Sequence, residues 1–354
     1  MQKMTMLLFL SRLFAPLDLG FSQVPQIQRG FEGNGTQQGG GQRQSGVTKR
    51  VTKKGEAGEK EEAEESPAKS PKPANRIGKA ARLPHFYSAW LKVTSNKFIL
   101  RIIREGYKLQ FCSPPVQYSY SPRTYSSDSL PITKAKVKEL LFEGALKVVS
   151  PSDSKFLSHI FPVPKRTPGE FRIIFDLSDL NLFIRKLTFR MDGFGSIMTL
   201  ISRGDFFVSI DLTDAYHAIA MHPFFCKFLT FVFLGVYYQY TCLPQGLTSS
   251  PRIFTKIMKT VHTSLRSFSI KVAAWLDDFI LAASSAELVR SQASFTVQTF
   301  QDLGFVPNLA KSQLEPVQRI QHVSLIWDSV NFTVSVPEEK ILAVLIMNLI
   351  MGMF

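Results

Sequence analysis

Two adjacent acids, Asp277 and Asp278, interrupt an otherwise apolar run from Val272 to Ala283. Runs rich in β-branched and aromatic residues read as strands, so the acids fall where a hairpin turns. A turn by itself accounts for them, because Asp bonds readily to turn backbone. A second apolar strand upstream changes the weighing: Phe206-Phe207-Val208-Ser209-Ile210 ends in Asp211-Leu212-Thr213-Asp214-Ala215-Tyr216. Side by side, the two strands bring Asp211 and Asp277 into one site. Carboxylates that close repel and raise one another's pKa unless a cation neutralises them, and hard oxygen donors suit Mg²⁺, with Mn²⁺ as a substitute. Two such ions ~3.5–4 Å apart activate an attacking hydroxyl and stabilise the leaving oxygen of an in-line phosphoryl displacement. That is polymerase chemistry.

Three stretches stand in the order, and close to the spacing, of the palm motifs of retroelement reverse transcriptases. They are Asp211-Leu212-Thr213-Asp214-Ala215-Tyr216, Leu243-Pro244-Gln245-Gly246-Leu247-Thr248-Ser249-Ser250-Pro251 and Trp275-Leu276-Asp277-Asp278. On them the chain resembles the reverse transcriptase of a retrotransposon, of DIRS-like or related LTR type. The resemblance runs from Thr133 to Lys340, with a weaker likeness from Ala81 to Phe111 to the segment that precedes the polymerase in DIRS-like elements.

This resemblance implies roles residue by residue. Asp211, Asp277 and Asp278 would be catalytic and, with the Leu212 carbonyl, would hold the metal. Lys165 and Arg172 sit on a hairpin from Ile160 to Asn181 that is similar to the fingers hairpin, where they would contact the triphosphate; clamping a transferring phosphoryl group by Lys and Arg is the physical reason. Tyr216 would stack under the sugar and exclude a ribose 2′-hydroxyl, while Gln245 and Gly246 would border the nucleotide pocket. Lys311 would protonate the departing pyrophosphate, although a solvated surface lysine also fits. Gln321 to Asp328 resembles the primer grip, with Ser324 where the family has glycine, and Trp275 stands where tyrosine is usual. The implied activity is RNA-directed DNA synthesis on an RNA or DNA template with a primer, from deoxynucleoside triphosphates. The competing expectation is a catalytically inactive retroelement-derived fragment that binds nucleic acid. An RNA-templated RNA polymerase is disfavoured by Tyr216 and by the fingers pattern.

The elements that position these residues follow from pattern. From Gly30 to Asn75 the chain is Gly- and Gln-rich and then charged, with too little apolar surface to offset chain entropy, so residues 1–80 are expected to be a disordered leader. Residues 81–132 form a helical and extended pre-polymerase segment: helices around Phe86–Val93 and Ile99–Ile103, the second ended by Gly106, then an extended connection marked by Pro114, Pro115, Pro122 and Pro131. Residues 133–340 make up fingers and palm. They hold a helix from Thr133 to Glu143 closed by Gly144, a hairpin around Gly235, and helices over Arg252–Ser267 and Ala286–Leu303. Asp214 is read as orienting a helix start, and His217 and His222 as structural. The fold expected is α+β, a polymerase right hand with an antiparallel palm sheet and the thumb absent or incomplete, since residues 341–354 are an apolar tail outside the family pattern.

Composition agrees with a globular, phosphate-seeking chain. Hydrophobic residues make up 45%, and a formal charge of +14 fits a nucleic-acid partner, although basic charge also serves solubility. Cys112, Cys226 and Cys242 are too scattered for a disulfide framework or a zinc site, which points to a reducing compartment. The apolar stretch from Met4 to Pro16 is broken by Arg12 and lacks a clean cleavage site. The apolar tail is shorter than the ~20 residues a membrane helix needs. An intracellular location, cytoplasmic or nuclear, with no membrane span, is therefore expected.

Overall fold

The computed structural model describes residues 78–117, 119–164 and 171–342. The leader up to Ile77, the hairpin tip carrying Lys165, and the tail from Ala343 lie outside the described residues. In chain order the elements are α1 (Tyr87–Val93), α2 (Lys97–Glu105), α3 (Ser129–Phe142), β1 (Leu146–Val149), β2 (Leu157–Pro164), β3 (Phe171–Asp176) and α4 (Phe194–Leu200). Then come β4 (Phe206–Asp211), β5 (Thr230–Phe233), β6 (Val236–Tyr240), α5 (Ser250–Ser267), β7 (Lys271–Trp275), β8 (Asp278–Ala283), α6 (Ala286–Asp302), β9 (Gln313–Val317), β10 (Arg319–His322), β11 (Leu325–Asp328) and β12 (Thr333–Ser335). Single helical turns at Leu83–Phe86, Pro151–Asp153, Ser178–Asn181 and Pro223–Cys226 complete the set.

The strands gather into three sheets. A four-stranded antiparallel sheet, β7-β8-β4-β9, carries the acids. A five-stranded sheet, β1-β6-β5-β2-β3, is antiparallel except where β2 runs parallel to β5. The third, β10-β11-β12, is an antiparallel meander.

Helices cover the acid-bearing sheet because their apolar residues recur at helical spacing. In α6 the Ser285 hydroxyl accepts from Leu288 N–H and starts the helix, and Val289, Ala293, Thr296 and Phe300 fall on the buried side. In α5 the buried stripe runs Ile253, Phe254, Ile257, Met258, Val261, His262 and Leu265, behind a proline in the first turn. Phe279 of β8 meets Phe300, with ring centroids 4.7 Å apart, and Phe300 and Phe254 both meet Phe305. Each such buried aromatic contributes on the order of 1.5–3 kcal/mol. The amino-terminal helices join this core: Trp90 is fully buried, edge-on to Phe305, and its indole N–H donates to the Leu303 carbonyl at 3.0 Å.

Pattern and structure differ in places. Helix α3 starts at Ser129, so Pro131 lies in its first turn rather than in an extended connection; that turn has no intrahelical use for a proline N–H, which is why it tolerates the ring. Asp214 starts no helix: it sits in a turn at φ +44°, with its carbonyl accepting from His217 N–H. Lys79 and Ala80, on the leader side of the expected boundary, already bond to Glu143 through side chain and backbone. The three cysteines are free, two of them buried. Among the described residues no helix is long and apolar enough to cross a membrane.

Candidate active site

β4 lies between β8 and β9, which places its last residue, Asp211, directly across from Asp278, the first residue of β8. Directly opposed residues of an antiparallel pair have Cα atoms roughly 4.5–5.5 Å apart. The turn between β7 and β8 is Leu276-Asp277, entered through Leu276 at φ +56°, and Leu212 N–H donates to the Asp277 carbonyl at 3.1 Å. Asp211, Asp277 and Asp278 therefore share one end of one sheet.

The electrostatics agree with that placement. Burial pushes the Asp211 carboxyl above the usual carboxylate range and Asp278 adds to the push, against Lys311 and a hydrogen bond from Asn308. Burial likewise raises Asp277, which also feels both Asp211 and Asp278. A crowded set of hard oxygen donors suits a divalent cation. Among the described residues no group of three His, Cys, Asp or Glu side chains is arranged to hold a metal ion.

A loop after α6 holds Asp211 in place. Asn308 N–H donates to the Asp211 carbonyl at 2.8 Å, Asp211 N–H donates to the Ser312 hydroxyl at 3.0 Å, and that hydroxyl donates to the Asn308 carbonyl at 2.7 Å. The loop brings exposed Lys311 close enough to act on both Asp211 and Asp277. Sequence reasoning found Lys311 and missed Asn308 and Ser312. Their signal was an Asn that caps its own turn, its side chain accepting from Lys311 N–H.

Of the remaining residues, Arg172 and Gln245 line a neighbouring cavity of about 650 Å³, together with Asp214 and His217. Arg172 is exposed on β3, paired across to Val163. Gly246 has φ +91°, and a Cβ there would stand 2.8 Å from the Phe175 carbonyl oxygen, so both conformation and space require glycine. Asn181, also missed, clamps this loop: its amide donates to the Gly246 carbonyl and its oxygen accepts from Thr248 N–H, both at 2.9 Å. Tyr216 is stacked on Phe254 at 4.8 Å and largely buried; burial and the Asp277 charge raise its hydroxyl well above the usual value. His217 lines the cavity, and His222 caps the Pro223–Cys226 turn by accepting from Phe224 N–H. Lys165 lies outside the described residues.

A second cavity, about 220 Å³, opens beside Leu276 and Ala274 and is lined by Arg190, Lys259 and Arg266. Arg266 pairs with Asp192 at 3.1 Å.

Against known proteins, residues 163–325 match the family model described as reverse transcriptase (RNA-dependent DNA polymerase). The chain is 25% identical over 201 residues to the Pro-Pol polyprotein of Simian foamy virus type 1, covering 57% of this chain and 16% of the relative. It is 27% identical over 168 residues to the Gag-Pro-Pol polyprotein of Human T-cell leukemia virus 2, covering 45% and 11%. Among solved structures, the foamy viral protease-reverse transcriptase in complex with dsDNA superposes with a TM-score of 0.56 at 16% identity, over 73% of this chain and 57% of that one. The same protein in complex with an RNA/DNA hybrid gives 0.55 at 16% identity, over 77% and 38%. The chain thus spans a small part of the polyproteins it matches. Residues 163–325 are similar to the reverse transcriptase domains of retroviral Pol polyproteins, and the chain has a mixed α+β fold like that of the foamy viral protease-reverse transcriptase.

Proposed function

We propose that this chain is an RNA-directed DNA polymerase that adds deoxynucleotides to a primer on an RNA or DNA template. The observation that carries this is the convergence of Asp211 with Asp277 and Asp278 at one end of paired strands β4 and β8. These carboxylates and the Leu212 carbonyl would hold two divalent cations, Mg²⁺ or Mn²⁺, which supply activation of the primer hydroxyl and stabilisation of the leaving oxygen.

The chain's own side chains do the rest. Arg172, on β3, and Lys165 neutralise the triphosphate. Gln245 borders the base and sugar, and glycine at 246 lets the backbone come close. Tyr216, held by its stack on Phe254, limits room at the sugar 2′ position. Lys311 holds the proton that the departing pyrophosphate takes up. Arg190 and Lys259 put positive charge beside the β7–β8 turn, where Arg266 is paired with Asp192, and this favours a phosphate-rich partner. In this reading residues 133–203 act as fingers and the chain from there to Lys340 as palm, within a DIRS-like or LTR-type element.

Primer extension tests it. A DNA primer on a short RNA template, at low salt with Mg²⁺, is expected to lengthen with deoxynucleotides and to stop when the cation is chelated. Tyr216→Ala is expected to admit ribonucleotides. Template binding without extension, with either cation, contradicts the enzymatic reading and favours an inactive nucleic-acid-binding fragment.

A further inference from the structure

His322 ends β10 and pairs across its hairpin with Leu325. Its side chain is fully buried, and neither ring nitrogen has a hydrogen-bond partner. A buried polar atom left unmatched costs about 1–3 kcal/mol, so an imidazole here is a poor substitute for a phenyl ring unless a nitrogen is used. One nitrogen has a partner in reach: Nδ1 lies 3.2 Å from Asp278 Oδ1. The distance suits a hydrogen bond and the alignment does not, but the Asp278 side chain is 43% exposed and free to rotate.

The histidine itself has little freedom. The Trp327 indole N–H donates to the His322 carbonyl at 3.1 Å, and Trp327 stacks on Phe194 at 5.5 Å. The far end of the hairpin is tied down as well, with Ser329 N–H on the Gln318 carbonyl at 2.9 Å and the Gln318 amide on the Gly204 carbonyl at 3.0 Å. A fixed ring beside a rotatable carboxylate is the geometry of an orienting contact, in which the ring sets the rotation of the acid.

We propose that His322 is a positioning residue for Asp278: the imidazole Nδ1–H donates to Asp278 Oδ1 and turns Oδ2 toward Asp211 and Asp277. This rests on the polymerase reading above, because the acid it orients is one of the three carboxylates that reading assigns to the cations. Orienting partners of metal ligands typically account for about 10–100-fold in metal affinity.

The test is Mn²⁺ binding, followed by the electron paramagnetic resonance signal of free Mn²⁺, on the full chain and on His322→Phe, His322→Asn and Asp278→Asn, with thermal melting of each. His322→Phe keeps the ring volume and is expected to weaken Mn²⁺ binding about 10-fold. His322→Asn, whose amide nitrogen stands near the place of Nδ1, is expected to recover most of it. If His322→Phe does not melt cooperatively, His322→Gln takes its place: its nitrogen reaches the Nε2 position, and it is expected to bind as weakly. Native-like Mn²⁺ affinity in the folded Phe or Gln variant overturns the role of His322 alone, as does an Asn variant no better than they are. A native chain that binds Mn²⁺ no better than Asp278→Asn overturns the polymerase reading and this role with it.

Discussion

The β7–β8 and β10–β11 hairpins face the same carboxylates from two sheets, and both turn through left-handed backbone without glycine. In the first, Leu276 has φ +56° and the turn delivers Asp277 and Asp278. In the second, Val323 has φ +47° and Ser324 φ +66°, and the turn delivers His322. Non-glycine residues there store strain, and a β-branched valine stores the most. Each hairpin is also backed by a buried histidine: His262 of α5 lies edge-on to Phe279 at 5.4 Å beneath β8, while His322 lies 3.2 Å from Asp278 itself. The difference is instructive. The first hairpin presents half-buried carboxylates, whereas the second contributes through a group wholly removed from solvent.

The largest expected effect on stability concerns His262. Burial holds its imidazole down, to about 4, and its Nε2 lacks a partner. The unfolded chain, with histidine near 6.5, binds this proton more readily than the folded one, so the contribution of His262 to stability is full above pH ~6.5 and is lost as pH falls toward ~4. Native stability should therefore drop by about 3 kcal/mol more than that of His262→Leu between pH ~7 and ~4. Urea unfolding at both pH values checks this. Equal losses in the two proteins would mean that His262 is charged or hydrated in place.

A smaller effect separates the hairpin turns. Two-residue turns with positive φ at both positions favour Asn-Gly. Val323→Asn with Ser324→Gly is expected to raise stability by about 1–2 kcal/mol, read from the urea midpoint, because it relieves strain at both sites. A loss would show that Val323 packing outweighs its backbone strain.

The two hairpins were unequally legible in the sequence. Adjacent acids between two apolar runs fit a plain turn, and it was the second strand ending in Asp211 that made Asp277 and Asp278 legible as a site. The sheet that joins them, and the α5 and α6 stripes, follow from periodicity. His322 sits in a stretch whose resemblance to the primer grip was legible, but its contact with Asp278 depends on packing between sheets. Ser312 bonds Asp211 across 101 positions and Asn181 bonds Gly246 across 65, separations over which local pattern carries no information. Asp214 and Pro131 misled for the opposite reason: both are strong local signals, for a cap and for a break, that tertiary context overrode.

Whether Asp211 from one strand and the Asp277-Asp278 pair from another act as one centre is settled most directly by primer extension. Rates would be measured for the native chain, for Asp211→Asn and for Asp277→Asn/Asp278→Asn, each first shown to melt as the native chain does. Charge stabilisation by a metal centre is worth several kcal/mol, so loss of either strand's acids is expected to lower extension by at least about 10³-fold. Extension retained within about 10-fold by either variant would contradict a shared catalytic centre.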